Sequence, residues 1–255
     1  MAALTALLPV VLANNQTTSS IATNSQSTTA ENNAPSSFIE FNGSDQYMMI
    51  PHHADFNITT TESFTVSCWV KRNVLEADTR FVVKRVKNNA TIKSGYELWG
   101  NGISSQFFAV NSPNNTGDHN NSVSVYSNIP GYAGEWHHIA FVIDRTAGIM
   151  YEYHNGTAVA NSGIKPIAPW ECTNTYDVLV GAGFSEEDTP NYFLNGAIGG
   201  LHFYKRALSA EEITADATAE VGPETDGLVA AYDFQNITGL RVTDISGNGH
   251  TGTLV

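Results

Sequence analysis

Four adjacent residues, Glu135, Trp136, His137 and His138, are the first candidates for chemistry in this sequence. A carboxylate beside two imidazoles could bind a metal ion or transfer protons. The histidines open the run HHIAFVID, which we interpret as a β-strand. Neighbouring side chains of a strand point to opposite faces of the sheet, so His137 and His138 cannot bind one ion together. The pattern therefore favours a structural role for this histidine pair.

Composition indicates one globular domain with an attached arm. The chain has 255 residues, 42% of them hydrophobic, which suits one large all-β domain or two small domains. Its 25 acidic and 12 basic residues give a formal charge of −13. Because this balance provides no basic surface to neutralise phosphates, we expect no nucleic-acid partner. The two cysteines, Cys68 and Cys172, are too few for a disulfide framework or a zinc cluster.

Residues 1–37 are predicted to form an anchoring arm and a polar linker. The first residues, MAALTALLPVVLA, form an apolar run that lacks the basic residues with which a secretory signal begins. The run is too short to cross a bilayer, so we expect no membrane span. The residues that follow are polar and of low complexity, which favours a flexible or extended tether. A merely disordered tail is the alternative.

From Phe38 onward, short runs of alternating residues are separated by clusters of Gly, Asn, Asp and Pro. This spacing predicts about ten half-buried strands, as in a β-sandwich or jelly roll. In the run ESFTVSCWVKR, for example, one face carries Phe64, Val66, Cys68 and Val70.

Two local signals predict a turn and a helix. Asn155 and Gly156 are typical of a tight hairpin turn. The run LSAEEITADATAE has helical composition, and Ser209 with Glu212 three residues later forms a capping-box pattern. We therefore expect one short helix among the strands.

Three segments together resemble LamG-like jelly rolls of the concanavalin A-like lectin/glucanase superfamily. They are the opening strands FIEFNGSDQYMMIP and ESFTVSCWVKR, the strand pair GEWHHIAFVIDRTAGIMYEYHNGTAV, and the closing strand and helix FLNGAIGGLHFYKRALSAEEI. The resemblance covers residues 38 to 215. It implies an all-β, antiparallel two-sheet jelly roll sandwich with one short helix and an extended N-terminal arm.

Two departures from the family pattern affect the interpretation. Gly199 and Gly200 stand where the family usually carries acidic residues, so a cation site in that strand is not implied. Residues 227–255 resemble the segment with which such domains commonly begin, although here they follow the domain. They could complete the same sandwich, pair with a neighbouring subunit, or belong to a partial tandem repeat. We expect the first, a single domain over residues 38–255, with the tail returning to the strand that begins at Phe38.

The tail also contains the candidate metal ligands. The run DISGNGH offers Asp244, Asn248 and backbone carbonyls, and calcium takes oxygen ligands from loops of this kind. Asp45, in the turn NGSDQY, is a further candidate ligand if the two loops meet. Calcium is therefore the one cofactor that the sequence suggests. The alternative is turn chemistry, because Asp, Ser, Asn and Gly are also the residues that tight turns require.

Binding is favoured over catalysis. Glycosidases of the resembled superfamily use a Glu-x-Asp-x-x-Glu array on one strand, and this sequence has no such array, so we expect no enzyme. Lectin-like sandwiches stack sugars on aromatic rings beside polar groups. The candidates are Trp99, Tyr132, Trp170 and Tyr176, which stand in turn-like stretches. Their alternative role is to anchor loops by packing.

The arm suggests a biological setting. LLPVVLANNQT is similar to a phrase found in structural proteins of tailed bacteriophages. We therefore expect a non-enzymatic decoration or fibre-type protein on a virion surface, bound to virion proteins through its arm and to host-cell or mucus glycans through its jelly roll. A secreted, extracellular bacterial adhesin or carbohydrate-binding module is the first alternative, and a purely structural capsid or tail stabiliser is the second. A homo-oligomer is compatible with each.

Overall fold

The computed structural model describes residues 34–75, 78–85, 93–102, 104–112, 122–128, 133–159, 172–184, 189–218 and 221–255. Nearly all of the predicted anchoring arm therefore lies outside the described residues. The described residues form two antiparallel sheets that share one hydrophobic core, together with one short helix. The predicted all-β, two-sheet jelly roll sandwich is confirmed.

The first sheet joins strands from the start, the middle and the end of the described chain. Its strands are β1 (Ile39–Asn42), β3 (Phe64–Arg72), β8 (Trp136–Asp144), β9 (Ile149–His154), β10 (Thr157–Ala158), β14 (Asn195–Tyr204) and β15 (Leu228–Tyr232). They lie in the order β1, β14, β3, β8, β9 and β10, and β15 also pairs with β14.

The second sheet packs against the first and has shorter strands at one end. Its strands are β2 (Met48–Ile50), β4 (Thr79–Arg85), β5 (Lys93–Asn101), β6 (Ser104–Ser112), β7 (Ser122–Asn128), β11 (Val178–Val180), β16 (Ile237–Thr238), β17 (Arg241–Val242) and β18 (Gly252–Leu254). They lie in the order β16, β17, β18, β2, β11, β4, β5, β6 and β7. A separate hairpin consists of β12 (Gly183–Phe184) and β13 (Pro190–Asn191). The described strands outnumber the predicted ten because several are only two or three residues long.

The C-terminal tail contributes to both sheets. β15 pairs with the half of β14 from Leu201 to Tyr204, while β1 pairs with the other half, from Asn195 to Ile198. β1 is too short to cover the whole edge of β14, so the tail occupies the remainder. β18 then pairs with β2 in the second sheet. The partners of the tail are thus β14 and β2 rather than the strand that begins near Phe38.

The shared core follows the period-two pattern of the strands. Phe64, Val66, Cys68 and Val70 are each at most 1% exposed and lie in the core between the sheets, as their alternation predicts. Full burial of one such large apolar side chain stabilises the fold by about 1.5–3 kcal/mol. The alternate residues Ser67 and Trp69 face outward, where they contact Asp216 and Ala217 at the end of the helix.

The helix α1 (Ala210–Asp216) covers the outer face of the first sheet. The predicted capping box is present: Ser209 Oγ accepts from the backbone N–H of Glu212, and the Glu212 carboxylate accepts from the backbone N–H of Ser209. Ile213 packs against Ala140 and Val142 of β8 in a second, smaller apolar cluster. The helix is short, and no described helix is long and apolar enough to cross a membrane.

The adjacent histidines point to opposite sides of the first sheet, as their spacing predicts. His137 contacts His154 across β8 and β9, with Nδ1 and Nε2 separated by 2.7 Å. His138 lies on the outer side, with Nε2 3.5 Å from Oδ2 of Asp216 at the end of α1. The predicted two-residue hairpin turn after β9 is also present, because Asn155 and Gly156 both have positive φ, at 48° and 77°.

One predicted face of the tail strand is interrupted. The alternation predicts that Leu228, Ala230, Tyr232 and Phe234 share a face, but Leu228 packs in the outer cluster and the other three in the core. The pairing of β15 with β14 shifts register between Phe203 and Tyr204. Such a bulge adds one residue to a strand and reverses the face on which the preceding side chains lie.

Candidate functional site

A cavity of about 570 Å³ lies on the outer face of the first sheet, beside the last turn of α1. We call it the helix cavity. Its walls come from residues 34–37, from residues 216–218 at the end of α1, and from Asp233, Gln235 and Ile245 of the tail. Trp69 of β3 and His202 of β14 complete it. Three distant parts of the chain thus enclose one space.

Residues 34–37 reach the cavity because β14 contains glycine at the point of contact. A Cβ atom on Gly199 would lie 2.6 Å from Cγ of Pro35 and 3.0 Å from the carbonyl oxygen of Ser37. The first distance is shorter than a Cβ atom tolerates, and the second is at the limit. The glycine that replaces an acidic residue of the resembled family therefore has a packing role, since it lets the N-terminal segment lie against the sheet.

The buried carboxylate of Asp216 organises the inner wall of the cavity. Ser67 Oγ donates to Oδ2 and Tyr204 Oη donates to Oδ1, each at 2.5 Å. His202 Nδ1 lies 2.9 Å from Oδ1. With His138 at 3.5 Å, four side chains from three strands of the sheet surround this one carboxylate. Outward-facing positions of the first sheet supply all four.

The electrostatics of this group favour a fixed negative charge. Burial opposes ionisation of Asp216, but the charge of His202 and hydrogen bonds from His138 and His202 hold its pKa well below the usual range. Burial also raises the pKa of the Tyr204 hydroxyl, and the adjacent Asp216 carboxylate raises it further. At neutral pH the wall therefore presents an ionised carboxylate beside a neutral phenol.

Trp69 ties the end of α1 to the sheet. Its indole Nε1 donates to the carbonyl oxygen of Ala217 at 2.9 Å, which satisfies one of the free carbonyls at the helix C-terminus. The ring is 5% exposed and also packs against His138, with centroids 5.4 Å apart. This tryptophan is a wall of the cavity rather than an open platform.

The tail provides the polar groups of the cavity that are open to solvent. Asp233 is half-buried and Gln235 is exposed, and the Gln235 backbone N–H donates to Oδ1 of Asp233 at 3.0 Å. Thr218 adds an exposed hydroxyl from the end of α1. Apolar walls come from Pro35, Val221 and the indole. A carboxylate, an amide and a hydroxyl beside apolar surface can bind a small hydroxyl-bearing molecule.

Trp99, one of the predicted ligand-binding residues, lies elsewhere, on the outer face of the second sheet. The guanidinium of Arg80 is between two rings, 4.8 Å from the Trp99 centroid and 4.6 Å from that of Tyr192. Glu97 fixes this cation, since its Oε2 accepts from Arg80 Nε at 3.0 Å while Oε1 accepts from Arg85 Nη1 at 2.8 Å. One face of the Trp99 ring is therefore occupied by a cation.

The other predicted aromatic residues do not line the helix cavity either. The Tyr176 ring packs near Phe184, with centroids 6.4 Å apart, and its carbonyl oxygen accepts from Nζ of Lys84 at 2.7 Å. Lys84 is buried, and burial lowers the pKa of its amine to about 8. Tyr132 and Trp170 lie outside the described residues.

The predicted calcium ligands lie in two separate turns. The Oδ1 atom of Asp244 accepts from the backbone N–H groups of Ala231 and Ser246, and Oδ2 accepts from Ser246 Oγ and the His250 backbone N–H. Asp45 accepts from Asn42 Nδ2 at 2.7 Å in the β1–β2 turn.

The amide of Asn248 ties its turn to β15. Its Nδ2 donates to the carbonyl oxygens of Leu228 and Val229, at 3.0 and 2.9 Å. These contacts are the ones expected if the residues serve to stabilise turns. The calcium site stays a prediction.

Sequence reasoning missed the residues that line the helix cavity. Trp69, His202 and Asp216 belong to three elements that only the fold brings together. One signal was available. In β3 and β14 the positions opposite to the apolar face carry Ser67, His202 and Tyr204, which are polar groups on a face that a helix covers.

The profile of the Laminin_G_3 family, described as concanavalin A-like lectin/glucanases superfamily, matches residues 42–214. The chain belongs to this family. The family match covers β2 to β14 and most of α1, and it ends before the tail. No curated protein matches the sequence significantly.

Solved structures share the fold of this Laminin_G_3 chain at low sequence identity. A candidate carbohydrate-binding protein from Bacteroides ovatus has a TM-score of 0.60 at 15% identity, over 84% of this chain and 57% of that one. The botulinum neurotoxin serotype G binding domain has a TM-score of 0.52 at 15% identity, over 71% and 42%. The heptameric SAP-like pentraxin from Limulus polyphemus has 0.51 at 12% identity, over 85% and 93%. This chain thus spans about half the length of the first two.

Proposed function

We propose that this Laminin_G_3 chain is a non-enzymatic carbohydrate-binding domain whose ligand occupies the helix cavity. The observation that carries the proposal is the cavity itself, about 570 Å³ in volume and lined by polar groups beside apolar surface. Small-molecule sites commonly enclose about 300–1,000 Å³ and combine apolar walls with a few polar groups that fix orientation. A mono- or disaccharide is of suitable size and polarity.

The roles of the lining residues follow from their chemistry. Asp233 and Gln235 would accept and donate hydrogen bonds to sugar hydroxyls, and the hydroxyl of Thr218 would add another contact. The apolar face of a sugar ring would pack against Pro35 and Val221. Asp216 would hold the wall in place through its four partners rather than contact the reacting atoms of a substrate.

The state of Asp216 supports binding rather than glycoside hydrolysis. A hydrolase needs one carboxyl group that stays protonated to donate to the leaving oxygen, usually through a raised pKa. The pKa of Asp216 is shifted in the opposite direction, and both carboxylate oxygens already accept hydrogen bonds. This carboxylate is therefore poorly suited to act as a general acid.

The descriptions of two matched structures agree with a carbohydrate ligand. The Bacteroides ovatus protein is described as carbohydrate-binding and the botulinum fragment as a binding domain. Identities of 15% carry the fold alone. The alternative ligand-binding residues are the aromatic ones that the sequence suggests, Trp99, Tyr132, Trp170 and Tyr176.

The setting of the domain is a further part of the proposal. The apolar start of residues 1–37, on its polar tether, would anchor the domain to virion structural proteins and display the jelly roll at a virion surface. An extracellular adhesin or carbohydrate-binding module, and a structural stabiliser without a ligand, are the alternatives. Detection of the chain in purified virions by mass spectrometry would support display, and its secretion by a bacterium would contradict it.

A glycan array tests the ligand class. The full chain, labelled at a surface amine, is expected to be retained by a restricted set of glycans in a manner that the free sugar inhibits. A labelled Laminin_G_3 chain that is folded by circular dichroism and yet binds no glycan would contradict the proposal and favour the structural alternative.

A further inference from the structure

Three side chains with metal-ligating atoms meet at the junction between the end of β2 and the C-terminal loop. Nδ1 of His53 lies 3.0 Å from Oδ2 of Asp55, and Nε2 of His250 lies 3.3 Å from the same oxygen. All three ligand atoms lie within 4.8 Å of one another. We call them the junction triad. Residues 53 and 55 are close in sequence, whereas His250 comes from the tail.

We propose that the junction triad binds a divalent transition-metal ion of the zinc type. Zinc is bound at about 2.0–2.2 Å by His nitrogen and Asp oxygen, in tetrahedral geometry. Ligand atoms of such a tetrahedron are separated by about 3.3–3.6 Å, a range that follows from those bond lengths. The two separations from Asp55 Oδ2, 3.0 and 3.3 Å, are close to that range, and the two histidine nitrogens lie within 4.8 Å of each other, so an ion would draw the histidine side chains together.

The type of ligand atom selects the metal. Two imidazole nitrogens and one carboxylate oxygen suit zinc and its neighbours among the transition metals. Calcium and magnesium prefer oxygen ligands throughout, so this site differs from the oxygen-rich loop at Asp244. Three protein ligands leave a fourth position for water or for an oxygen atom of a bound molecule.

The fold holds two of the ligands firmly. Asp55 lies in the short 3-10 turn Ala54–Phe56, which fixes its backbone, and an ion bound at His53 Nδ1 would replace the hydrogen bond that this nitrogen accepts from the Asp55 backbone N–H. His250 is held by its backbone N–H, which donates to Oδ2 of Asp244 at 2.9 Å. Its ring packs edge-on against Phe56, with centroids 4.9 Å apart. A site with one anchored histidine and a carboxylate on a fixed turn loses little entropy on binding.

The site is open to a metal ion from solvent, and Lys205 competes with the ion for Asp55. The side chains of His53 and Asp55 are 54% and 36% exposed, so an ion can enter from solvent, whereas that of His250 is 8% exposed. Nζ of Lys205 lies 3.4 Å from Oδ1 of Asp55 and opposes a second cation there. Nζ of Lys205 also lies 3.7 Å from Oε1 of Glu62, so the Lys205 side chain can move to that carboxylate when a metal binds Asp55.

The test is thermal unfolding of the full chain, free of any polyhistidine tag, in the presence of zinc or of a chelator. Binding to the native state alone raises Tm as the metal concentration rises. Wild type is expected to show a saturable rise in Tm that the chelator reverses. His53→Ala and Asp55→Asn are each expected to lower zinc affinity by about tenfold or more. Even the loss of a residue that only hydrogen-bonds to a metal ligand commonly lowers metal affinity by about 10- to 100-fold.

Two further variants separate the site from general effects. Glu224→Gln removes an exposed carboxylate from the loop after α1 and is expected to bind zinc as wild type does. Lys205→Met removes the competing cation and is expected to strengthen zinc binding. Because His53 is largely exposed, its alanine variant retains the fold even if His250→Ala does not. Cobalt added in place of zinc should give the strong visible absorption of a four-coordinate ion.

Three results would overturn the inference. The first is a Tm that zinc does not raise in wild type. The second is equal zinc affinity in wild type, His53→Ala and Asp55→Asn. The third is weaker binding by Lys205→Met, which would show that the triad and Lys205 are only an ion-pair cluster. None of these outcomes bears on glycan binding in the helix cavity, so the two proposals fail independently.

Discussion

The imidazole Nε2 of His250 lies 3.3 Å from Oδ2 of Asp55, although 195 residues separate them in sequence. This contact fastens the C-terminal loop to the first strands of the domain. It accompanies the pairing of β18 with β2 and of β15 with β14. The two ends of the Laminin_G_3 domain therefore depend on one another for their sheet partners.

Truncation after Pro223 is expected to abolish soluble folding. It removes β15 from the edge of β14 and β18 from that of β2, and it takes Val229, Tyr232 and Phe234 out of the core. Unpaired sheet edges and exposed apolar faces promote aggregation. Expression followed by size-exclusion chromatography and circular dichroism measures the outcome. A soluble, folded monomer of the truncated chain would show that the tail is not part of the domain.

Deletion of residues 1–33 is expected to leave the Tm of the domain unchanged within a few degrees. Residues 1–33 show no alternating core pattern in their sequence, and the deletion keeps Pro35, which packs on Gly199. If display on a virion is correct, the same deletion abolishes incorporation into particles. Calorimetry and particle composition provide the two readouts. An unfolded product, or normal incorporation, would contradict the anchoring role of the arm.

Replacement of Asp216 by Ala is expected to destabilise the fold by about 3–5 kcal/mol, the cost of breaking a buried charged network. Ser67, His202 and Tyr204 would lose their shared hydrogen-bond partner. The pKa of Asp216 is lower in the folded state than in the unfolded chain, so its stabilisation is present above the ordinary Asp range and is lost as the pH falls. Chemical denaturation of wild type and variant at neutral and acidic pH measures this. An unchanged midpoint at neutral pH would contradict the role of Asp216.

Glu152 gives a pH dependence of the opposite sign. It lies between the sheets, where the hydroxyls of Ser105 and Ser127 donate to Oε1, and burial raises its pKa from 4.5 to about 7. A carboxyl group whose pKa is higher in the folded state loses stabilisation as the pH rises through that interval. The free energy of unfolding is therefore expected to fall between about pH 4.5 and 7 through this group.

Glu152→Gln stays neutral and isolates this effect. The difference in unfolding free energy between the variant and wild type is expected to grow in favour of the variant as the pH rises to about 7. His154, whose pKa burial and the neighbouring His137 lower to about 4, contributes with the opposite sign but is present in both proteins. Urea denaturation across this pH range provides the measurement. A difference that does not change with pH would show that Glu152 titrates normally.

The sequence predicted those features that depend on residues close together in the chain. Period two in β3 identified Phe64 and Val66 as core residues, and the spacing of Ser209 and Glu212 identified the helix start. Both signals arise from local geometry. The opposite directions of the adjacent histidines follow from the same alternation along a strand. The hairpin turn after β9 follows from the preference of Asn and Gly for positive φ.

Features that depend on distant contacts were not predictable in the same way. The bulge that turns Leu228 outward is set by its pairing with β14, which the tail sequence does not encode alone. Trp69 and Asp216 line one cavity because β3 and α1 lie together in the fold. Sequence reasoning instead favoured Trp99 on its flanking turn residues, and that ring stacks on Arg80.

The most direct test of the account is the dissociation constant of a glycan that the array selects, measured by titration calorimetry for wild type and two tryptophan variants. Thr218→Trp places a ring in the mouth of the helix cavity, whereas Ala215→Trp places the same ring on an exposed position of α1 outside it. A ligand in the helix cavity would be displaced by the new ring of Thr218→Trp, so this variant is expected to lose about 1–3 kcal/mol of affinity, the size of one stacking contact, and Ala215→Trp and Trp99→Ala are expected to lose none. Unchanged affinity in Thr218→Trp together with a loss in Trp99→Ala would contradict the account and place the ligand on the second sheet.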